Sequence, residues 1–411
     1  MTERHRPAWS ELRPLLRFER PDVNRHQARL ARAVTIGDLR EIARRRTPKL
    51  AFDYTDGAAE AEIGIHRARQ TFRNLEFQPR VLRDVSSVTL STTVAGQPSA
   101  LPFGIAPTGF TRLMHTEGEL AGIGAAATFG IPFTLSTMGT VSLEEVAAAA
   151  PQAHRWFQLY LWKDRDKSLA LVQRAENAGY DSLVLTVDTA VGGSRLRDLR
   201  NGMTIPPRVT ARTVLDAARK PQWWVNFFTT PPPAFASLDS YPGSVQALIN
   251  EMFDPTVSFS DLRWLRDMWN GKLVIKGVQT VDDAVRCVDH GADAVWLSNH
   301  GGRQLDRGPQ PLCTLPAVAE ALDGTGAEIY LDTGILTGGD IVAAHALGAD
   351  FAFIGRAYLY GLMAGGQAGV GRAIEILRDE VTRTLQLLGV PSIDELSPDH
   401  VKLRVPSKEL R

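Results

Sequence analysis

The stretch AVRCVDHGADAVWLSNHGGRQLD, Ala284 to Asp306, runs from a helical pattern through a Gly-Ala-Asp turn into an apolar run. It ends in a cluster of donors, acceptors and charge. Its first part has a counterpart in IVAAHALGADFAFIGR, Ile341 to Arg356, and a looser one in LVQRAENAGYDSLVLTV, Leu171 to Val187. A repeated helix, tight turn and short buried strand is the pattern of βαβ units that share a parallel sheet.

Reading outward from there, further apolar runs alternate with helix-like stretches between Leu101 and Arg356. The strands expected are FGIAPT ending at Thr108, PFTLS at Ser136, WFQLY at Tyr160, SLVLTVD at Asp188, KLVIKGV around Lys276, AVWLSN at Asn299, EIYLDTG around Asp332 and FAFIGR at Arg356. Eight such units match an α/β fold of the (β/α)8 TIM-barrel type. A doubly wound open sheet would want a glycine-rich dinucleotide fingerprint after an early strand, and none is present. Residues 1–100 read as an N-terminal arm and helical segment, 101–400 as the barrel and 401–411 as a tail. Residues 202–270 interrupt the fourth and fifth strands with text rich in Trp, Phe and Pro. Such an insertion reads most simply as a packed loop with aromatic anchors; a lid, an oligomer contact or a peripheral membrane attachment through Trp223, Trp224, Phe227 and Phe228 are the other readings.

Composition narrows the function. Lys plus Arg and Asp plus Glu are equal at 46 each, so no basic excess points to nucleic acid. Cys287 and Cys313 are the only cysteines, which indicates neither a disulfide framework nor a metal site and fits a reducing compartment. The first residues lack a signal peptide's apolar core, and Glu3, Glu11, Glu19 and Asp22 argue against a transit peptide. With no run long and apolar enough to span a bilayer, a cytoplasmic protein is expected.

Catalytic residues of a barrel collect at the C-terminal ends of its strands. Here those ends bring Thr108, Ser136, Gln158, Tyr160, Thr186, Asp188, Lys276, Ser298, His300, Arg303, Asp332 and Arg356 to one face. Lys276, in an otherwise apolar strand, would be costly to bury without an anionic partner. Arg303 can bind a carboxylate through paired hydrogen bonds, and His300, oriented by Asp188, can take a proton from a neighbouring hydroxyl or carbon. A 2-hydroxy acid presents both groups. Its oxidation needs an electron acceptor that no side chain supplies, so a cofactor is implied. The loops LDTGILTGGD and FIGRAYLYG offer glycines and Arg356 at the usual barrel phosphate site, which fits a phosphate-bearing flavin. Gln304 and Asp306 are read as residues that shape the loop.

With SNHGGRQLD, IAPT, HTEGE, FQLY, LTVD, KGV and IGR in this order, the chain resembles the FMN-dependent L-2-hydroxy acid dehydrogenase and oxidase family over about residues 35 to 400. In APTGFTRLMHTEGE and GRAYLYGLMAGGQAGV it looks most like the bacterial respiratory L-lactate dehydrogenases. The resemblance implies oxidation of an L-2-hydroxy acid, with L-lactate first, by FMN, the electrons passing to a quinone or cytochrome. An oxygen-using oxidase that makes hydrogen peroxide is the alternative, and a flavin-binding protein without catalysis is a further one.

It also implies roles. His300 would be the base and Asp188 its partner. Arg303, Arg195 and Tyr54 would face the substrate carboxylate, and Tyr160 would hydrogen-bond the substrate oxygen. Lys276 would neutralise charge at the flavin N1 and O2 side. Pro107, Thr108, Gly109, Ser136, Gln158, Thr186, Ser298, Asp332, Gly334, Gly355 and Arg356 would hold FMN, with Gly109 near the flavin N5. A homo-oligomer, a tetramer in such relatives, is implied as well.

Two departures stand out. Many relatives carry Arg where the loop after the seventh strand has Leu336, beside Thr333, which removes one phosphate-binding cation and leaves more to Arg356 and backbone donors. Near the substrate side chain, Met138 and Gly192 stand where glycolate oxidase has Trp and Leu.

Overall fold

The computed structural model describes residues 6–16, 24–202, 211–231, 235–236 and 252–404. Eight parallel strands close into a barrel: β1 (Phe103–Ile105), β2 (Phe133–Ser136), β3 (Arg155–Leu159), β4 (Ser182–Thr186), β5 (Lys272–Val278), β6 (Ala294–Leu297), β7 (Glu328–Leu331) and β8 (Phe351–Ile354). Each pairs with its neighbours in chain order, and β8 pairs with β1 to complete the ring. The strands stop short of the expected ends at Thr108, Tyr160, Asp188, Asn299 and Arg356, so the polar residues at those ends sit on the loops just beyond them.

The barrel interior is filled by side chains rather than open. Trp156, Trp296, Tyr330, Phe351 and Phe353 are fully buried in it, with Trp296 stacked on Phe353 at 3.8 Å between ring centroids. A hairpin, Thr92–Val94 with Gln97–Ser99, closes the lower end, where Ala95 N–H donates to Glu328 at the start of β7. Aromatic filling below leaves the reactive chemistry to the loops above.

Two helices outside the alternation close on that upper face. Helix α1 (Lys49–Asp56) puts Phe52 against Tyr360 and offers Asp56 to Arg40 and Tyr360. Helix α2 (Ile63–Arg73) follows Glu62, whose φ of 61° turns the chain. Its first turn is tied down from the His300 loop, because Asp306 accepts from the N–H groups of Ala61 and Gly64 at 3.2 and 2.7 Å. A carboxylate at a helix N-terminus satisfies donors that the helix cannot.

After β4 the chain forms the short helix α3 (Leu196–Arg200), and within the insertion helix α4 (Pro221–Thr229). The insertion's residues 203–210, 232–234 and 237–251 lie outside the described residues, as do 405–411 of the expected tail. Trp223 stacks on Phe227 at 4.7 Å and donates through Nε1 to the Leu113 carbonyl, so this pair faces the barrel. Phe228 (66% exposed) and Val225 (60%) face outward instead. Of the four aromatics, Trp223 and Phe227 thus pack as anchors and Phe228, with Trp224 stacked on it at 4.3 Å, lies towards the outside; Val225, Val214 and Leu215 are exposed as well.

Helix α5 (Gly338–Ala346) begins at a capping box in which Thr337 and Asp340 exchange hydrogen bonds. Helix α6 (Arg356–Leu388) starts directly after β8, and its axis is broken at Gly365 and Gly366. Its N-terminus therefore opens on the cavity at the top of the barrel.

Candidate active site

A cavity of about 530 Å³ sits on that upper face. Tyr54, Pro107, Thr108, Gly109, Ser136, Met138, Tyr160, Arg195, Lys276, His300, Arg303, Asp332, Gly334, Gly355 and Arg356 all line it. Asp188 and Ser298 hold His300 from behind this wall, Gln158 holds Ser136, and Thr186 stands opposite Lys276 across β4 and β5. So the expected site residues come together, in two layers.

The loop after β6 places His300 at φ 58°, a left-handed conformation that costs a residue with a Cβ and is met where surroundings impose it. Here Asn299 accepts from Gly302 N–H at 3.0 Å, and Ser298 Oγ accepts from His300 N–H at 3.0 Å. The imidazole Nδ1 lies 3.1 and 3.3 Å from the two Asp188 oxygens. With Nδ1–H donated to this carboxylate, Nε2 is left to take a proton. Burial pushes His300 below the ordinary imidazole value of 6.5 and outweighs the opposing pull of Asp188, while Lys276 and Arg195 push it down as well. Burial alone would raise Asp188, yet His300 and Lys276 hold it below the ordinary carboxylate value. The pair at rest is a neutral base beside an ionised partner.

Arg303 crosses the face of the Tyr54 ring at 4.6 Å and donates to the Tyr54 carbonyl. Arg195 lies over the same ring at 6.0 Å, and its Nε is buried without a partner. Burial, with Arg195 adding to it, pushes Arg303 down to about 10. Two desolvated guanidinium groups converging on one spot favour an anion there. Gln304 accepts from Gly193 N–H and donates to the carbonyls of Asp188 and Val191, which ties the Arg195 loop to the His300 loop as its loop-shaping reading anticipates. Tyr160 is pushed far above the ordinary phenol value by burial and by Asp188, so its hydroxyl keeps its proton and can donate.

Buried Lys276 ends at Asp332, 3.1 Å away, and at Ser298 Oγ, 2.9 Å away. This is the anionic partner that its burial demands. Gly109 stands where an added Cβ would lie 2.8 Å from Met138 Cβ, so close packing between the loops after β1 and β2 requires glycine.

The wall fits an FMN. Gln158 Nε2 and Thr186 Oγ1, near the ends of neighbouring strands, are buried without a hydrogen-bond partner. Buried polar atoms are rarely left so, and the heteroatoms of a flavin ring would satisfy them. At the other end, α6 opens with Gly355, whose added Cβ would meet nothing, and its first N–H groups have no intrahelical acceptor.

The chain matches the family described as FMN-dependent dehydrogenase over residues 43–403. The chain belongs to the FMN-dependent dehydrogenase family. FMN is accordingly its cofactor. Among similar proteins, one from Mycobacterium tuberculosis (strain ATCC 25618 / H37Rv), named "Putative L-lactate dehydrogenase", is 60% identical over 96% of this chain and 95% of its own length. The (S)-mandelate dehydrogenase of Pseudomonas putida is 40% identical over 89% of this chain and 93% of its own. A crystal structure titled as a monotopic membrane protein, (S)-mandelate dehydrogenase, superposes with a TM-score of 0.87, at 39% identity, over 91% of this chain and 100% of that one.

Several residues of this FMN-dependent dehydrogenase were not singled out from sequence. Asp198 on α3 lines the cavity beside both arginines; burial raises it against the pull of Arg303 and Arg195. Phe253 meets Tyr160 edge-on at 5.4 Å. Arg197 holds Asp56 and Glu62, fastening α3 to the helical segment. None carries a local motif, although LRDLRN following Arg195 was a visible run of alternating charge.

Proposed function

We propose that this enzyme oxidises an L-2-hydroxy acid, with L-lactate the substrate supported best, to the 2-oxo acid and passes the electrons to a quinone or cytochrome. The observation that carries the reading is the His300–Asp188 pair opening onto the same cavity as Arg303 and Arg195. The two arginines bind the substrate carboxylate. Tyr160 donates to the C2 oxygen. His300 Nε2 takes the proton that leaves the substrate, and Asp188 stabilises the imidazolium so formed. FMN supplies the two-electron acceptor for the bond broken at C2. Lys276, held by Asp332 and Ser298, would supply positive charge to the bound flavin.

Met138, Gly192 and Phe253 line the cavity around Tyr160, where the substrate side chain would lie. The name borne by the 60% identical relative supports L-lactate. A quinone or cytochrome acceptor is supported by the exposed apolar ridge of α4, which suits an enzyme peripheral on the inner face of the cell membrane. No helix among the described residues is long and apolar enough to cross a membrane. The working form is a homo-oligomer, a tetramer by family resemblance.

Replacing His300 by Ala tests the mechanism. The variant is expected to keep its yellow cofactor and to reduce it at least about a hundredfold more slowly under stopped flow, the lower range for a positioned base. Reduction at the wild-type rate would remove His300 from the chemistry.

A further inference from the structure

A phosphate-bearing cofactor in a (β/α)8 barrel puts its phosphate beyond the seventh and eighth strands, where it needs positive charge as well as N–H donors. In this chain the donors are present at the start of α6, but the charge is not where it is expected. The Arg356 guanidinium is bound by three backbone carbonyls, those of Thr55, Gly57 and Gly301, at 2.9, 2.8 and 2.9 Å. The loop after β7 carries Leu336 and no cation between Asp332 and Thr337.

A cation arrives from another element. Arg69, on α2, donates through Nη1 to the carbonyl of Gly334 and to Asp340 Oδ2, the latter at 2.6 Å. The helix is held against that loop by shape: a Cβ at Gly334, whose φ is +89°, would stand 3.2 Å from both Ala68 and Phe72. Ile65, His66 and Arg69 share one face of α2 and line the same cavity as Gly334, Leu336 and Arg356. Asp340 already accepts from the N–H groups of Leu336 and Thr337 at 2.9 Å each, so the α5 cap is complete without Arg69. The buried Asp340 carboxylate pairs with one edge of the Arg69 guanidinium, which anchors Arg69 at this end of the cavity without using all of its donors.

We infer that Arg69 supplies the guanidinium for the FMN phosphate that the β7 loop lacks. Its Nη1 stays on Gly334 and Asp340, which fixes the fork, and the remaining N–H groups would be left to donate to the phosphate. The inference rests on the FMN reading of the cavity.

The test titrates flavin-free protein with FMN and, separately, with riboflavin, which lacks the phosphate, following quenching of flavin fluorescence. Wild type is expected to bind FMN more tightly than riboflavin; a protein that bound neither would overturn the cofactor reading and this inference with it. Arg69→Gln is expected to weaken FMN binding by about ten- to a hundredfold, the loss of hydrogen bonds to a charged group, while riboflavin binding stays within about twofold. An Arg69→Val, Leu336→Arg double variant, with the cation on the loop instead, is expected to recover most of the FMN affinity. Unchanged FMN affinity in Arg69→Gln would overturn the inference. So would an equal fall for both flavins with no recovery in the double variant, because that is what a merely structural Arg69 would produce.

Discussion

His300 shows how burial and pairing divide the work at a single residue. Desolvation alone would leave a weak base, and a carboxylate alone would leave a histidine protonated at neutral pH. Together they hold the imidazole neutral while providing a partner for the charge it would take on as the proposed base. Because its pKa is lowered, the base is available throughout the neutral range and is lost only as pH falls through a value below 6.5. The acid limb of kcat/KM is therefore expected below pH 6.5, and Asp188→Asn, by removing a group that raises the His300 pKa, is expected to move it lower while slowing turnover. A limb above 6.5 that disappears in His300→Ala would contradict the stated balance. At this scale the sequence was highly legible. His300, Arg303 and Lys276, which line the cavity, are polar or charged groups in or just beyond apolar strands and announce themselves by their cost. Asp198 and Arg69 were not legible, because each lies on a helix whose local pattern is ordinary and gains meaning only from the loop it packs against.

Among elements, the barrel strands could be read because each is a short apolar run bounded by turn residues. Their ends could not be placed as well. β6 stops at Leu297; Ser298 N–H still reaches the Val278 carbonyl at 3.2 Å, and beyond it the chain turns away at His300, whose loop is held by the Ser298 and Asn299 side chains. The insertion was legible only as aromatic text. Helix α4 turns Trp223 and Phe227 inward and Val225 and Phe228 outward, a division that follows from its 3.6-residue period but that needs a known contact, Trp223 with Leu113, to set its phase. The membrane reading belongs to this element. Anionic vesicles are expected to carry the wild type upward in flotation and to carry a Val225→Ser, Phe228→Ser variant much less, with flavin content unchanged. Equal flotation of both would place any attachment elsewhere.

For the molecule as a whole, the alternation of strands and helices made the barrel readable, and barrel geometry alone then says that eight strand ends share one bowl. What it does not say is how the bowl is closed. The helical segment before β1 does this, with α1 offering carbonyls to Arg303 and Arg356 and α2 bringing Arg69 to the loop after β7. These contacts join residues some 250 to 300 positions apart, so no window of sequence could display them.

The central claim is that this cavity oxidises an L-2-hydroxy acid through its FMN. It is tested most directly by following the flavin absorbance of the purified protein under anaerobic conditions while L-lactate, D-lactate, larger L-2-hydroxy acids and methyl L-lactate are added in separate runs. Bleaching by L-lactate, with the D-isomer and the methyl ester far slower, is the result expected from a base and two arginines that hold one face and one carboxylate. A folded, flavin-loaded protein left yellow by every L-2-hydroxy acid, or bleached as fast by the ester as by the acid, would contradict it.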